Sequence, residues 1–190
     1  MWSSKPQPGS TVWCLRIGLL HGQSNKERKL TTAVYPGRFD PVTLGHLDIM
    51  QRASRLFDRV VVAVFDHPER QPLFSTSERV SLIQEATSQI PSLEILPFDG
   101  LIVNFLRDTN ANVIVRGLRK NADFEHEFEM ALMNRRLAPE VDVVCLITDL
   151  QHQFIRSSLV REVARLGGDI SGLVPQNVDK ALSKRLVSGT

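Results

Sequence analysis

From residue 31 onward the chain alternates short apolar runs with longer segments whose apolar residues recur every three or four positions. Residues 31–35 form a brief β-like run. Beyond His46, Leu47, Met50, Ala53 and Phe57 fall on one face of a helix. Residues 59–65 are almost continuously β-branched or apolar, the pattern of a strand buried on both faces of a parallel sheet. Ser75-Thr76-Ser77-Glu78 has the capping-box spacing and opens a helix that is expected to bury Val80, Ile83, Ala86 and Ile90. A third strand at 93–96 and a short helical face of Leu101, Ile102, Phe105 and Leu106 follow, then a fourth strand at 112–115 ending at Arg116-Gly117. A long helix over 122–137 is expected to turn Phe124, Phe128, Ala131 and Leu132 inward, and residues 141–147 read as a fifth strand. Ser157 or Ser158 is placed to cap a helix carrying Leu159, Val163 and Leu166, which Gly167-Gly168 ends. Pro175 opens a last helix with Val178, Leu182 and Leu186 on one side.

Strands alternating with helices of this length predict an α/β fold with a parallel sheet. No internal repeat or linker divides it, so residues 31–190 read as one domain. Residues 1–30, rich in Ser, Gly, Gln and Lys and without periodicity, read as a flexible leader outside the functional part. In such sheets ligands bind beyond the carboxyl ends of the strands. The loops expected to converge there are the 37–46 turn, the 66–72 loop, the 116–119 turn and the segment before Ser157.

Charge narrows the function classes. The net charge of +2 is uneven: residues 1–30 carry +4 and the remainder −2. A nucleic-acid-binding module should be basic on its folded part, and this one is not. No apolar run approaches the roughly 20 residues needed to span a bilayer, which argues against a membrane protein. Cys14 and Cys145 are far apart, with neither a disulfide framework nor a zinc spacing, and a reducing cytoplasm fits.

The stretch Tyr35-Pro36-Gly37-Arg38-Phe39-Asp40-Pro41-Val42-Thr43-Leu44-Gly45-His46 carries the most chemistry. A strand that breaks at Pro-Gly and enters a helix near Gly-His presents unpaired N–H groups and an imidazole at a helix N-terminus, where the dipole favours an anion. The convergent loops add Arg38, Arg70, Arg116, Arg119 and Arg156, with Arg161 a turn further on. Cations gathered on a domain of net charge −2 point to a phosphorylated ligand. Neither G-x-x-x-x-G-K-[ST] nor G-x-G-x-x-G occurs, so a P-loop NTPase and a dinucleotide dehydrogenase are disfavoured. The five histidines show no metal-ligand spacing, so no protein metal site is expected. His67, His126 and Cys145 read as structural. Met130 and Met133 read as core or subunit contacts.

PGRFDPVTLGH, with RGLRKNADFEHEFEMALMNRRL and FIRSSLVREVA downstream, resembles the phosphopantetheine adenylyltransferase family of the HxGH nucleotidylyltransferase superfamily. The likeness runs from about residue 32 to 186. It implies a Rossmann-like domain with a five-stranded parallel sheet and helices on both faces. It also implies transfer of AMP from ATP to 4′-phosphopantetheine with Mg²⁺, in a cytoplasmic homohexamer subject to feedback binding of coenzyme A. By the same resemblance His46 steadies the α-phosphate in the transition state. Arg38, Phe39, His46, Gly117, Leu118, Arg119 and Glu127 would contact ATP, and so would the loop His152, Gln153, Phe154, Ile155, Arg156, Ser157 and Ser158. Arg38, Arg70, Ile102 and Arg116 would hold the acceptor. Mg²⁺ would ride on the phosphates rather than in a protein cage.

Three positions depart from the family pattern. Arg38 replaces the usual Ser or Thr after Pro-Gly, Arg156 replaces the first serine of an Ile-Ser-Ser-Ser run, and Arg70 stands where Lys is common. All three are arginines, which keeps the phosphate reading and leaves rate and acceptor preference open. Two alternatives remain beside the adenylyltransferase: a sister nucleotidylyltransferase for nicotinamide mononucleotide or of the cytidylyl type, and a catalytically weak sensor of nucleotide or coenzyme A.

Overall fold

A computed structural model of the chain describes residues 30–66 and 72–187. In chain order the elements are β1 (Thr32–Gly37), α1 (Leu44–Leu56), β2 (Arg59–Phe65), α2 (Thr76–Ala86), β3 (Leu93–Phe98), α3 (Ile102–Asp108), β4 (Val113–Leu118), α4 (Asn121–Leu137), β5 (Asp142–Ile147), α5 (Ser157–Arg165) and α6 (Gln176–Val187). The strands are all parallel, in the order β3-β2-β1-β4-β5.

Both sheet faces are covered, as the unbroken apolar runs of β1 and β2 require. Side chains alternate across a strand, so Val60, Val62 and Val64 enter one core while Val61 and Ala63 enter the other. The first core takes Ile49 and Met50 from α1, Ile83 from α2, Val160 from α5, and Val178 and Leu182 from α6. The second takes Val103 and Leu106 from α3, with Ala138 and Val141. Each fully buried aliphatic side chain contributes about 1.5–3 kcal/mol, so the sheet centre is the rigid base on which the loops stand. The chain builds outward from β1 through β2 to β3, then returns to the other side of β1 for β4. That reversal leaves a crevice above the C-terminal ends of β1 and β4.

The expected alternation holds, with two corrections. Ile90 lies beyond α2, whose end is drawn off at Thr87 by a hydroxyl that donates to the Ile83 carbonyl (2.7 Å). On α4, Phe124, Phe128 and Leu132 do not face in: they are 44%, 48% and 55% exposed. They form an exposed apolar stripe, while Met130, Met133 and Leu137, also partly exposed, lie on another side of α4 along a mainly apolar cavity. Among the described residues no helix is long and apolar enough to cross a membrane. The expected leader lies outside the described residues except for Leu30.

Candidate active site

The turn after β1 is shaped by packing beneath it. A Cβ on Gly37 would stand 2.7 Å from the Phe39 ring, so only glycine lets that ring fold back under the strand end. Phe39 takes a left-handed backbone conformation (φ 49°) and is 3% exposed. It packs edge-on against Tyr35 (centroids 5.4 Å) and against His46 (5.1 Å, 83°). His46 sits at the third position of α1, where its Nδ1 accepts the Thr43 backbone N–H at 3.1 Å and faces the Thr43 hydroxyl at the same distance. An accepting Nδ1 leaves the proton on Nε2, so the ring offers a neutral donor to the cavity it lines.

Burial, aided by the Arg119 cation, lowers the His46 pKa to about 4. The sign follows from linkage. The unfolded chain takes up this proton near 6.5, whereas folded His46 stays neutral down to about 4. Between those values falling pH favours the unfolded state, by at most about 3 kcal/mol for this residue. Denaturation midpoints should therefore decline more steeply from pH 6.5 to 4 in the wild type than in His46→Gln; parallel slopes would contradict the burial of a neutral ring.

Two buried charges tie the crevice walls together. Arg79, 2% exposed on α2, donates through Nε to the Phe74 carbonyl (3.1 Å), through one terminal nitrogen to the Arg38 (2.7 Å) and Phe65 (2.9 Å) carbonyls, and through the other to the Thr76 hydroxyl (2.8 Å). Its guanidinium thus joins the loops leaving β1 and β2 to the start of α2. Asp40 accepts the Leu73 (2.9 Å) and Phe74 (3.0 Å) N–H groups and pairs with Arg161 of α5 at 3.2 Å, whose guanidinium also donates to the Asp40 carbonyl. The Ser157 hydroxyl donates to the Pro41 carbonyl at 2.8 Å. Neither expected serine caps α5: Arg156 holds the cap position, its side chain makes no capping bond, and Ser157 is turned to the β1 turn instead. The first N–H groups of α5 stay open toward the crevice.

At the end of β4, Arg116 binds Glu127 of α4 in a fork, Nε to Oε2 at 2.6 Å and the terminal nitrogen to Oε1 at 2.5 Å, with its remaining nitrogen on the Pro36 carbonyl (3.1 Å). Burial opposes the Arg116 charge, but Glu127 outweighs it and the guanidinium's pKa is raised. Arg119 is held less tightly, by Asp123 (3.3 Å) and the Ile155 carbonyl (3.3 Å).

Two cavities meet here. The larger, about 880 Å³, is walled by Arg38, Phe39, His46, Gly117, Arg119, Arg156, Ser157 and Ser158, among others. The smaller, about 600 Å³, is mainly apolar, with Phe98, Leu101, Ile102 and Met133 on its walls. Arg38, Arg116 and Glu127 border both. The Arg38 side chain is exposed and makes no hydrogen bond or ion pair to any described residue.

Of the residues expected at the site, Ile155 also lines the larger cavity, while His152, Gln153, Phe154 and Leu118 are set back from both walls. The Leu118 carbonyl accepts the Thr148 N–H at 2.8 Å, and Gln153 donates to the Thr148 carbonyl (3.2 Å). The Nδ1 of His152 is buried without a partner among the described residues. Arg70 and His67 lie outside the described residues. Tyr35, Asp40 and Arg79 were not singled out from the sequence, although Tyr35 and Asp40 stand inside the most informative motif.

A parallel sheet whose switch point carries a cationic cavity is suited to a phosphorylated ligand, and the cytidylyltransferase-like family model, which matches residues 34–163, places the chain among nucleotidyltransferases. The chain is 49% identical to the phosphopantetheine adenylyltransferase of Dehalococcoides mccartyi over 82% of its length and 98% of the relative's. It is 52% identical to that of a Roseiflexus species over 82% of the chain and 97% of the relative. The crystal structure of a protein described as a nicotinate-nucleotide adenylyltransferase from Vibrio parahaemolyticus shares the fold, with TM-score 0.60 over 85% of this chain and 98% of that one, at 18% identity. The chain belongs to the phosphopantetheine adenylyltransferase family.

Proposed function

We propose that the protein transfers the adenylyl group of ATP to 4′-phosphopantetheine, forming dephospho-CoA and pyrophosphate. The observation that carries this reading is the pair of cavities with a shared charged border. A polar, cationic chamber suits a nucleotide triphosphate, and the apolar one beside it suits a flexible arm whose phosphate reaches the border. An acceptor phosphate oxygen attacks the α-phosphorus as the bond to the β-bridging oxygen breaks, and pyrophosphate leaves. The nucleophile is already an anion, so the residues need only position the groups and stabilise charge. The His46 Nε2–H donates to the α-phosphate. Arg119, Arg156 and the open N–H groups of α5 take the β- and γ-phosphates.

Among the described residues no three His, Cys, Asp or Glu side chains gather as a metal site. The donor-rich chamber fits Mg²⁺ as an ion carried on the phosphates. When bound there, Mg²⁺ neutralises charge on the triphosphate. Arg116 is neutralised by Glu127, which leaves Arg38 as the free cation at the border among the described residues. Arg38→Ser should raise KM for 4′-phosphopantetheine about tenfold, the loss of one charged hydrogen bond, with kcat little changed. An unchanged acceptor KM would remove Arg38 from that contact.

The exposed apolar face of α4 supports association with further copies of this chain, as a hexamer. Feedback by coenzyme A follows the same logic, since it would fill both cavities at once. A cytoplasmic setting agrees with the free thiol of Cys145. The reaction is tested by following pyrophosphate release from ATP, Mg²⁺ and 4′-phosphopantetheine. Intact nucleotide binding with no release at high enzyme concentration would favour a sensor. Turnover with nicotinamide mononucleotide in its place would favour a sister enzyme.

A further inference from the structure

The phenol of Tyr35 has no part in the scheme above. It stands on β1 two residues before Gly37, is 5% exposed, and lines the larger cavity. Its ring is held edge-on by Phe39 at 5.4 Å. Its oxygen lies beside Gly117, 3.7 Å from where a Cβ would stand. Yet the hydroxyl makes no hydrogen bond to any described residue.

The oxygen is not sealed in the core: it is not one of the fully buried, unpaired polar atoms among the described residues, so it opens to the cavity that Tyr35 lines and is free to donate there. Phenylalanine would fill the same core volume, so packing does not account for the oxygen. Burial pushes the phenol well above its ordinary pKa, and the Arg116 and Arg119 cations only partly oppose this, so the group is a neutral donor at working pH. On the cavity wall it is joined by Gly117, by Arg116 with its Glu127 partner, by Arg119 and, across Phe39, by His46. Arg116 is taken up by Glu127, but Arg119, the His46 Nε2–H and the phenol add hydrogen-bond donors that suit the oxygens of an anion.

We infer that the Tyr35 hydroxyl donates a hydrogen bond to a phosphate oxygen of the bound nucleotide, from the floor of the cavity beside Gly117. The inference rests on the nucleotide reading of that cavity and adds a neutral donor to its cations. It does not depend on which acceptor is used.

Titration calorimetry of Tyr35→Phe with ATP, ADP and adenosine, without acceptor, tests it. ATP and ADP should bind about tenfold more weakly than to the wild type, adenosine should bind equally, and the melting temperature should be unchanged. Equal ATP affinity overturns the inference. So does a loss that persists with adenosine, which would move the contact to the nucleoside. A melting temperature several degrees lower would mark the hydroxyl as structural and also overturn it. Wild-type ATP binding without pyrophosphate release would refute the transfer reaction and leave this contact to be decided by the titration.

Discussion

His46→Ala lowers kcat by about 10²–10³-fold while ATP affinity changes only a few-fold. That is the expected result for a donor whose hydrogen bond strengthens as negative charge builds at the α-phosphate. The geometry argues for it in three ways. Thr43 fixes the tautomer, Phe39 fixes the ring plane, and burial holds the ring neutral down to about pH 4. A neutral imidazole donates without adding a full charge to the ground-state complex, so its contribution falls mainly on the transition state. Single-turnover rates and nucleotide titrations on the same preparation separate the two quantities. Equal losses in both would contradict a transition-state role.

The second large effect is expected away from the reacting atoms. Arg79→Met should destabilise the fold by about 3–5 kcal/mol, because three carbonyls, of Arg38, Phe65 and Phe74, lose the one donor group that joins them. For a chain of this size that lowers the melting temperature by roughly 10 °C. Arg79→Lys keeps the charge but cannot reproduce the planar fork, and should fall between the two. Turnover should drop in both variants, since the backbone that carries Arg38 would no longer be held. Scanning calorimetry decides the point: a shift of only about a degree would mean that water replaces the guanidinium at no cost.

How much of this was legible beforehand depends on the scale of the signal. The strand–helix alternation was legible because runs such as 59–65 admit few other readings, and the capping box at Ser75 reports its own hydrogen bonds. His46 was legible through its motif. Arg79 was not, because one arginine in an amphipathic helix looks like any solvated residue until the fold carries three carbonyls to it. Tyr35 was hidden for the opposite reason: in a buried strand an aromatic residue reads as core, and periodicity is blind to a single oxygen. The face of α4 was misread because an apolar stripe has the same spacing whether it meets its own sheet or another surface. Ser157 fits a cap by composition, but the Pro41 carbonyl competes for the hydroxyl from 116 positions away.

The bonds from Ser157 and Arg161 to the Pro41 and Asp40 carbonyls span 116 and 121 positions. They set a timetable for the protein's synthesis. β1, β2 and β3 leave the ribosome early and can pair at once, yet the chamber for the triphosphate has no far wall until residues 155–161 emerge. Substrate binding therefore cannot guide the folding of the first half of the chain; it can only reward a chain that is nearly complete.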